Sequence, residues 1–264
     1  MYSHEVDYKL YGDDMQFVEI ELDPRETVIA EAGAMMMMDN NITMETIFGD
    51  GSQKSNSGGI WGALGGAAKR VITGESLFMT AFTNSGHEKQ KVSFASPYPG
   101  KIIPIDLTSV GGKLICQKDA FLCAAKGVSI GIDFRKKISV GFFGGEGFIL
   151  QKLEGDGLCF IHAGGTIIKK TLRAGERLKV DTGCLVAMTR DIHYDIEFVG
   201  GIKNTLFGGE GIFFATLTGP GDVWVQSLPF SRLASRVFAS APQAYGKQTG
   251  EGSILGSFGD LFER

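Results

Sequence analysis

An all-β fold is predicted by three features of the 264-residue chain: short alternating apolar and polar stretches, glycine concentrated at turns, and a module written three times. Glycine accounts for 38 residues and proline for only seven, which puts glycine at about twice its usual share of roughly 7%. Nineteen phenylalanines and a 43% apolar content provide for a packed core. With 21% charged residues the chain is neither disordered nor fibrous. All-β sandwiches of this length often form one unit.

The module shows itself when the chain is compared with itself. Phe143-Gly144-Gly145-Glu146-Gly147 recurs as Phe207-Gly208-Gly209-Glu210-Gly211, and a looser copy runs from Ile72 through Gly74-Glu75-Ser76. Upstream, Val28 to Met37 aligns with Leu114 to Cys123 and with Leu178 to Ala187. From Gly33, Asp119 and Gly183 to the Glu of each copy the distances are 42, 27 and 27 residues, so the first copy holds a 15-residue insertion between Asp39 and Ile72. The expected architecture is one all-β domain over 1–230, made of units at about 1–98, 99–164 and 165–230, with a helix and flexible tail over 231–264. A lone unit cannot bury both faces of its sheet. Three around a pseudo-threefold axis share a core, in a double-stranded β-helix or sandwich-like arrangement.

Each unit reads as strands. Phe17 to Leu22 alternates apolar and polar residues, the period of a half-buried strand, and Lys101 to Leu107 and Thr166 to Leu172 hold equivalent places. Asp23-Pro24-Arg25-Glu26, Gly111-Gly112 and Arg173-Ala174-Gly175-Glu176 act as turns. The Gly-Glu-Gly segments are expected to open hairpins, with Phe148 to Phe160 folding back over Glu154-Gly155-Asp156-Gly157.

Glu31-Ala32-Gly33-Ala34-Met35, the glycine-rich Gly58 to Arg70 followed by Gly74-Glu75-Ser76, and the two Phe-Gly-Gly-Glu-Gly copies together resemble the mitochondrial-biogenesis family (altered inheritance of mitochondria, number twenty-four), in its bacterial, uncharacterised branch. The resemblance covers about residues 1–240. It implies a β fold like that of the tryptophan RNA-binding attenuation proteins. It implies no established catalytic activity and offers no catalytic residues. Mitochondrial members are linked to inner-membrane organisation.

Composition and motifs exclude several classes. Lys and Arg number 26 against 30 Asp and Glu, a net charge of −4 that argues against a dedicated nucleic-acid surface. The N-terminal stretch lacks a signal-peptide plan, and the uncharged run Ser55 to Ala68 is shorter than the about 20 residues of a spanning helix. Cys116, Cys123, Cys159 and Cys184 form no C-x-x-C pair, so a reduced, cytoplasmic setting is expected. In the internal alignment these positions exchange with Ala and Val, and Met37 stands opposite Cys123 and Ala187; small buried slots are expected rather than nucleophiles. His4 and His87 lie in polar stretches and are expected at the surface, while His162 aligns with Gln226. No H-x-H pair, H-E-x-x-H, Walker loop or G-x-S-x-G occurs. No enzyme, metal or cofactor is expected.

Glu75, Glu146 and Glu210 are the candidate ligand-facing or structural carboxylates, since a Glu directly after glycine can face a shared axis or accept backbone N–H bonds. A candidate interaction surface comprises Ile60, Trp61 and Leu64 in the insertion, where Gly58 to Ile72 has helical spacing, and Phe258, Leu261 and Phe262 in the tail. A second helix is expected from Phe230 to Phe238, ended by Pro242. The leading function is a non-catalytic homo-oligomeric scaffold or interaction protein with possible protein or peripheral-membrane partners. The alternative is a binding module for a small ligand or RNA between units.

Overall fold

The computed structural model describes residues 2–31, 33–48, 78–136, 148–199 and 212–240. Strand β1 (Asp7–Tyr11) precedes a first round of β2 (Phe17–Leu22), β3 (Thr27–Glu31), β4 (Met35–Met38), β5 (Ile42–Phe48), β6 (Phe78–Asn84) and β7 (Gln90–Ala95). A second round holds β8 (Gly100–Asp106), β9 (Lys113–Gln117), β10 (Phe121–Ala125), β11 (Ser129–Lys136), β12 (Phe148–Glu154) and β13 (Leu158–Gly164). The third holds β14 (Ile167–Leu172), β15 (Arg177–Asp181), β16 (Leu185–Thr189), β17 (His193–Val199), β18 (Ile212–Thr218) and β19 (Gly221–Gln226), followed by helix α1 (Phe230–Ser240). The described residues are all-β apart from this helix and short 3-10 turns.

Within every round the first and third strands pair antiparallel with the sixth, and the second and fourth with the fifth. The rounds interlock because β10 also pairs with β3, and β16 with β9. Among the described residues four sheets result, ordered β1-β2-β7-β4, β5-β6-β3-β10-β13-β8, β11-β12-β9-β16-β19-β14 and β15-β18-β17. The third strand of every round carries an irregularity at one place: between Met35 and Met37, Phe121 and Cys123, and Leu185 and Ala187. A β-bulge there redirects the strand locally.

Three apolar cores separate the four sheets. Val18, Ile20, Phe94, Phe82 and Phe160 pack between the first and second. Ile29, Leu107, Cys116, Phe121 and Trp224 fill the space between the second and third, and Phe148, Leu150, Leu185 and Leu217 that between the third and fourth. The inner sheets are therefore covered on both faces, which explains the unbroken apolar runs of β10 (FLCAA) and β16 (LVAMT), buried at every residue. The outer strand β2 keeps its alternation because only one of its faces meets a core.

The hairpin expected over Phe148 to Phe160 does not form. β12 and β13 lie in different sheets, joined by a turn that crosses the core. Both edges of β12 are already occupied, by β11 and β9, so no ladder is left for β13. The expected helix at Phe230 is present and runs to Ser240. It starts after Pro229, whose carbonyl accepts from the backbone N–H groups of Arg232 and Leu233. The helix expected over 58–72 lies outside the described residues.

Candidate functional site

Glu75, Glu146, Glu210, Ile60, Trp61, Leu64, Phe258, Leu261 and Phe262 all lie outside the described residues. Among the described residues, Cys116, Cys123 and Cys159 are buried in the cores and Cys184 is half-buried; all four are free thiols. Burial pushes the Cys116 thiol up to about 12 and those of Cys123 and Cys159 well above their ordinary value, so the nucleophilic thiolate is suppressed. His87 is exposed. His4 departs from expectation. It is half-buried, and its Nδ1 accepts a 2.9 Å hydrogen bond from the Thr27 N–H, because residues 3–5 lie against the second round: the His4 N–H donates to the Lys126 carbonyl.

Two features of the described residues stand out. One is a titratable cluster where the first two rounds interlock. Glu31 ends β3, Asp119 lies in the 3-10 turn Lys118–Ala120, and His162 sits in β13. His162 is 2% exposed, makes a backbone hydrogen bond with Asp119, and packs edge-on against the Tyr98 ring at 5.0 Å. Burial drives its imidazole down to about 4, and its Nδ1 has no hydrogen-bond partner. Burial, reinforced by the nearby Asp119 carboxylate, lifts Glu31 to about 7.

The second interlock shows what this cluster replaces. There Gln117 ends β9 and Gln226 stands in β19, where Glu31 and His162 stand in the first. The Gln226 amide donates to the Gly183 carbonyl at 2.9 Å and accepts from the Gly164 N–H at 2.7 Å. Neutral amides satisfy one interlock; ionisable groups occupy the other. Among the described residues no group of three His, Cys, Asp or Glu side chains is arranged to hold a metal ion. Sequence reasoning noted the alignment of His162 with Gln226 but missed the cluster, because Glu31, Tyr98 and Asp119 come together only through the interlock.

The other feature is the free edge of the first sheet. Met36, Met37 and Met38 of β4 are 45%, 47% and 39% exposed. Across the sheet from them, charges alternate: Lys91 Nζ meets Glu19 at 2.9 Å and Lys89 Nζ meets Glu21 at 2.8 Å. Along α1 the picture is mixed. Phe230 lies 5.4 Å from the Tyr98 ring and Arg232 pairs with Asp181 at 2.9 Å, while Val237 is 61% exposed. Among the described residues no helix is long and apolar enough to cross a membrane.

A family model described as mitochondrial biogenesis AIM24 matches residues 8–228, from within β1 to two residues past the end of β19. The chain belongs to the AIM24 family. An uncharacterized protein of Streptococcus pyogenes serotype M6 is 30% identical over 224 residues, covering 83% of this chain and 85% of that protein. The X-ray crystal structure of a Streptococcus pyogenes protein matches with a TM-score of 0.68 at 24% identity, covering 89% of this chain and 99% of the other. That likeness shows the fold that this AIM24 chain shares.

Proposed function

We propose that the protein is a non-catalytic, homo-oligomeric scaffold or interaction protein of the cytoplasm, with contact to protein partners or a membrane surface. One contrast carries this reading. Among the described residues the thiols of Cys116, Cys123 and Cys159 and the His162 imidazole are buried in their uncharged forms, whereas apolar methionines lie open along a sheet edge. Chemistry needs reactive groups at a surface; association needs accessible apolar side chains and unpaired backbone. Methionine suits the second task, being flexible and polarizable. The free cysteines support a reducing compartment.

The second reading is a binding module for a small ligand or RNA between rounds, arranged about the rotation that the repeat implies. The ionisable interlock of Glu31, Asp119 and His162 favours it, as does the resemblance to the tryptophan RNA-binding attenuation proteins. Native mass spectrometry of the full chain separates the two. Multiples of the chain mass without a non-protein adduct are expected. A monomer carrying a stoichiometric small molecule or oligonucleotide overturns the scaffold in favour of the binding module.

A further inference from the structure

Each inner sheet is assembled from two three-stranded halves. In one, β5-β6-β3 meets β10-β13-β8 along the β3–β10 seam; in the other, β11-β12-β9 meets β16-β19-β14 along the β9–β16 seam. The outer sheets are single halves. β17-β18-β15 is the third-round counterpart of the first kind of half, and β4-β7-β2 is the first-round counterpart of the second kind, with β1 added beyond β2. Their free strands, β15 and β4, are the two that would form a third seam. Both are edges among the described residues.

Register follows from the two seams that exist. Cys123 lies opposite Ala30, and Ala187 lies opposite Cys116. The aligned residues at the open ends are Met37 and Val180. We propose that β4 of one molecule pairs antiparallel with β15 of a second copy, Met37 opposite Val180 and Met38 opposite Lys179, so that half-sheets of two molecules complete a third six-stranded sheet. The proposal rests on the interaction-protein reading and names its partner. A second copy is the occupant because its β15 carries the strand order and register that this edge lacks, while β4 and β15 of one molecule are not paired with each other.

The composition of the third seam sets its strength. Where the internal seams place Ile29 and Ile115, β15 has the exposed Lys179; where they place Cys123 and Ala187, β4 has Met37. The backbone ladder is retained, but the buried apolar contact is thinned. A lysine stem can lie along the Met38 thioether while its ammonium stays in water. Such a contact is reversible and concentration-dependent, unlike the permanent seams inside the chain. It is also head-to-tail, so each added copy leaves one free β4 and one free β15, giving rings or open chains of copies.

Sedimentation velocity of the full chain over a dilution series tests this. Self-association is expected, weakened about tenfold or more by Met37→Lys and tightened by a similar factor by Lys179→Ile, which restores the residue of the internal seams. Circular dichroism checks that both variants fold. In a Cys184→Ala background, a Met37→Cys chain mixed with a Val180→Cys chain is expected to give a disulfide-linked dimer of the two. A wild-type chain that stays monomeric at every concentration overturns the proposal, as does a Met37→Cys/Val180→Cys chain that cross-links within a monomer. Association unchanged by both Met37→Lys and Lys179→Ile overturns the seam alone and leaves the interaction reading standing; that reading falls on the ligand-bearing monomer in native mass spectrometry.

Discussion

Cys123 of β10 lies directly opposite Ala30 of β3, and this small-against-small pair closes the seam between the first two rounds. Both side chains are fully buried in the core shared by the first and second sheets. Ala187 opposite Cys116 repeats the relation one round later. Enlarging either pair forces two sheets apart, since protein interiors have few voids. Ala30→Leu is expected to destabilise the protein by about 1–3 kcal/mol, whereas Cys123→Ala costs less, both read from urea unfolding midpoints.

Arg25 has φ 74°, a left-handed conformation at the place where Gly175 in the matching third-round turn has φ 76°. The two turns are otherwise alike. The Asp23 N–H donates to the Glu26 carboxylate at 2.8 Å, and the Arg173 N–H to that of Glu176 at 2.9 Å. A side chain with a Cβ is strained there by roughly 1–2 kcal/mol, part of which glycine gives back as unfolded-state entropy. Arg25→Gly is therefore expected to raise the melting temperature, a gain of up to about 1 kcal/mol. A fall in melting temperature would show that the Arg25 side chain contributes more than its strain costs.

Asn84 ends β6 with its side chain fully buried. Its amide donates to the Leu22 carbonyl at 2.9 Å and to that of Glu88 at 2.8 Å, while its oxygen accepts from the Gly86 N–H. One side chain thus ties β2, β6 and the following turn. Asn84→Ala leaves the Leu22 carbonyl buried without this donor, and a loss of about 1–3 kcal/mol is expected in denaturant titration. Asn84→Asp is expected to be at least as costly, because a buried carboxylate cannot donate.

The interlock cluster predicts opposing pH dependences. Burial and Asp119 raise folded Glu31 to about 7, above its ordinary 4.5, so the folded state binds the proton more tightly. Its destabilising effect is full above about 7 and fades as pH falls toward 4.5. His162 runs the other way. Its folded value of about 4 lies below the ordinary 6.5, so stability is lost as pH falls from 6.5 toward 4. Lys118, Tyr98 and Cys116 also face this cluster. Glu31→Gln, which copies Gln117 of the second interlock, is expected to stabilise the protein at pH 8 and not at pH 4. His162→Gln, which copies Gln226, is expected to flatten the loss on the acid side. Melting curves over a pH series check both; curves of unchanged shape would mean that neither group titrates in folding.

Much of the strand content was legible in the chain because a half-buried strand must alternate. Phe17 to Leu22 could be placed as a half-buried strand without coordinates. The amphipathic pattern of Phe230 to Phe238, with Pro242 soon after it, likewise marked α1. The exchange of Cys116 with Ala30 and Val180 pointed to a small core slot, and Cys116 lies in the central core. Pairing was not legible in the same way. Phe148 to Phe160 has the local pattern of a hairpin, yet its two strands part into different sheets, because a strand takes the partners that complete its ladder and not the nearest in sequence. The cluster of Glu31, Asp119, Tyr98 and His162 was hidden for the same reason, since its members are up to 131 residues apart.

By itself the amino-acid order determined which segments extend, where they turn, and which of their faces avoid water, since alternation, glycine and proline act within a few residues. Tertiary structure alone decided that successive rounds share sheets, that the inner sheets lose both faces to cores, and that β4 and β15 are left as ends. Those outcomes depend on backbone hydrogen bonds, which are the same for every residue type and so leave no mark in the sequence until the chain has chosen its partners.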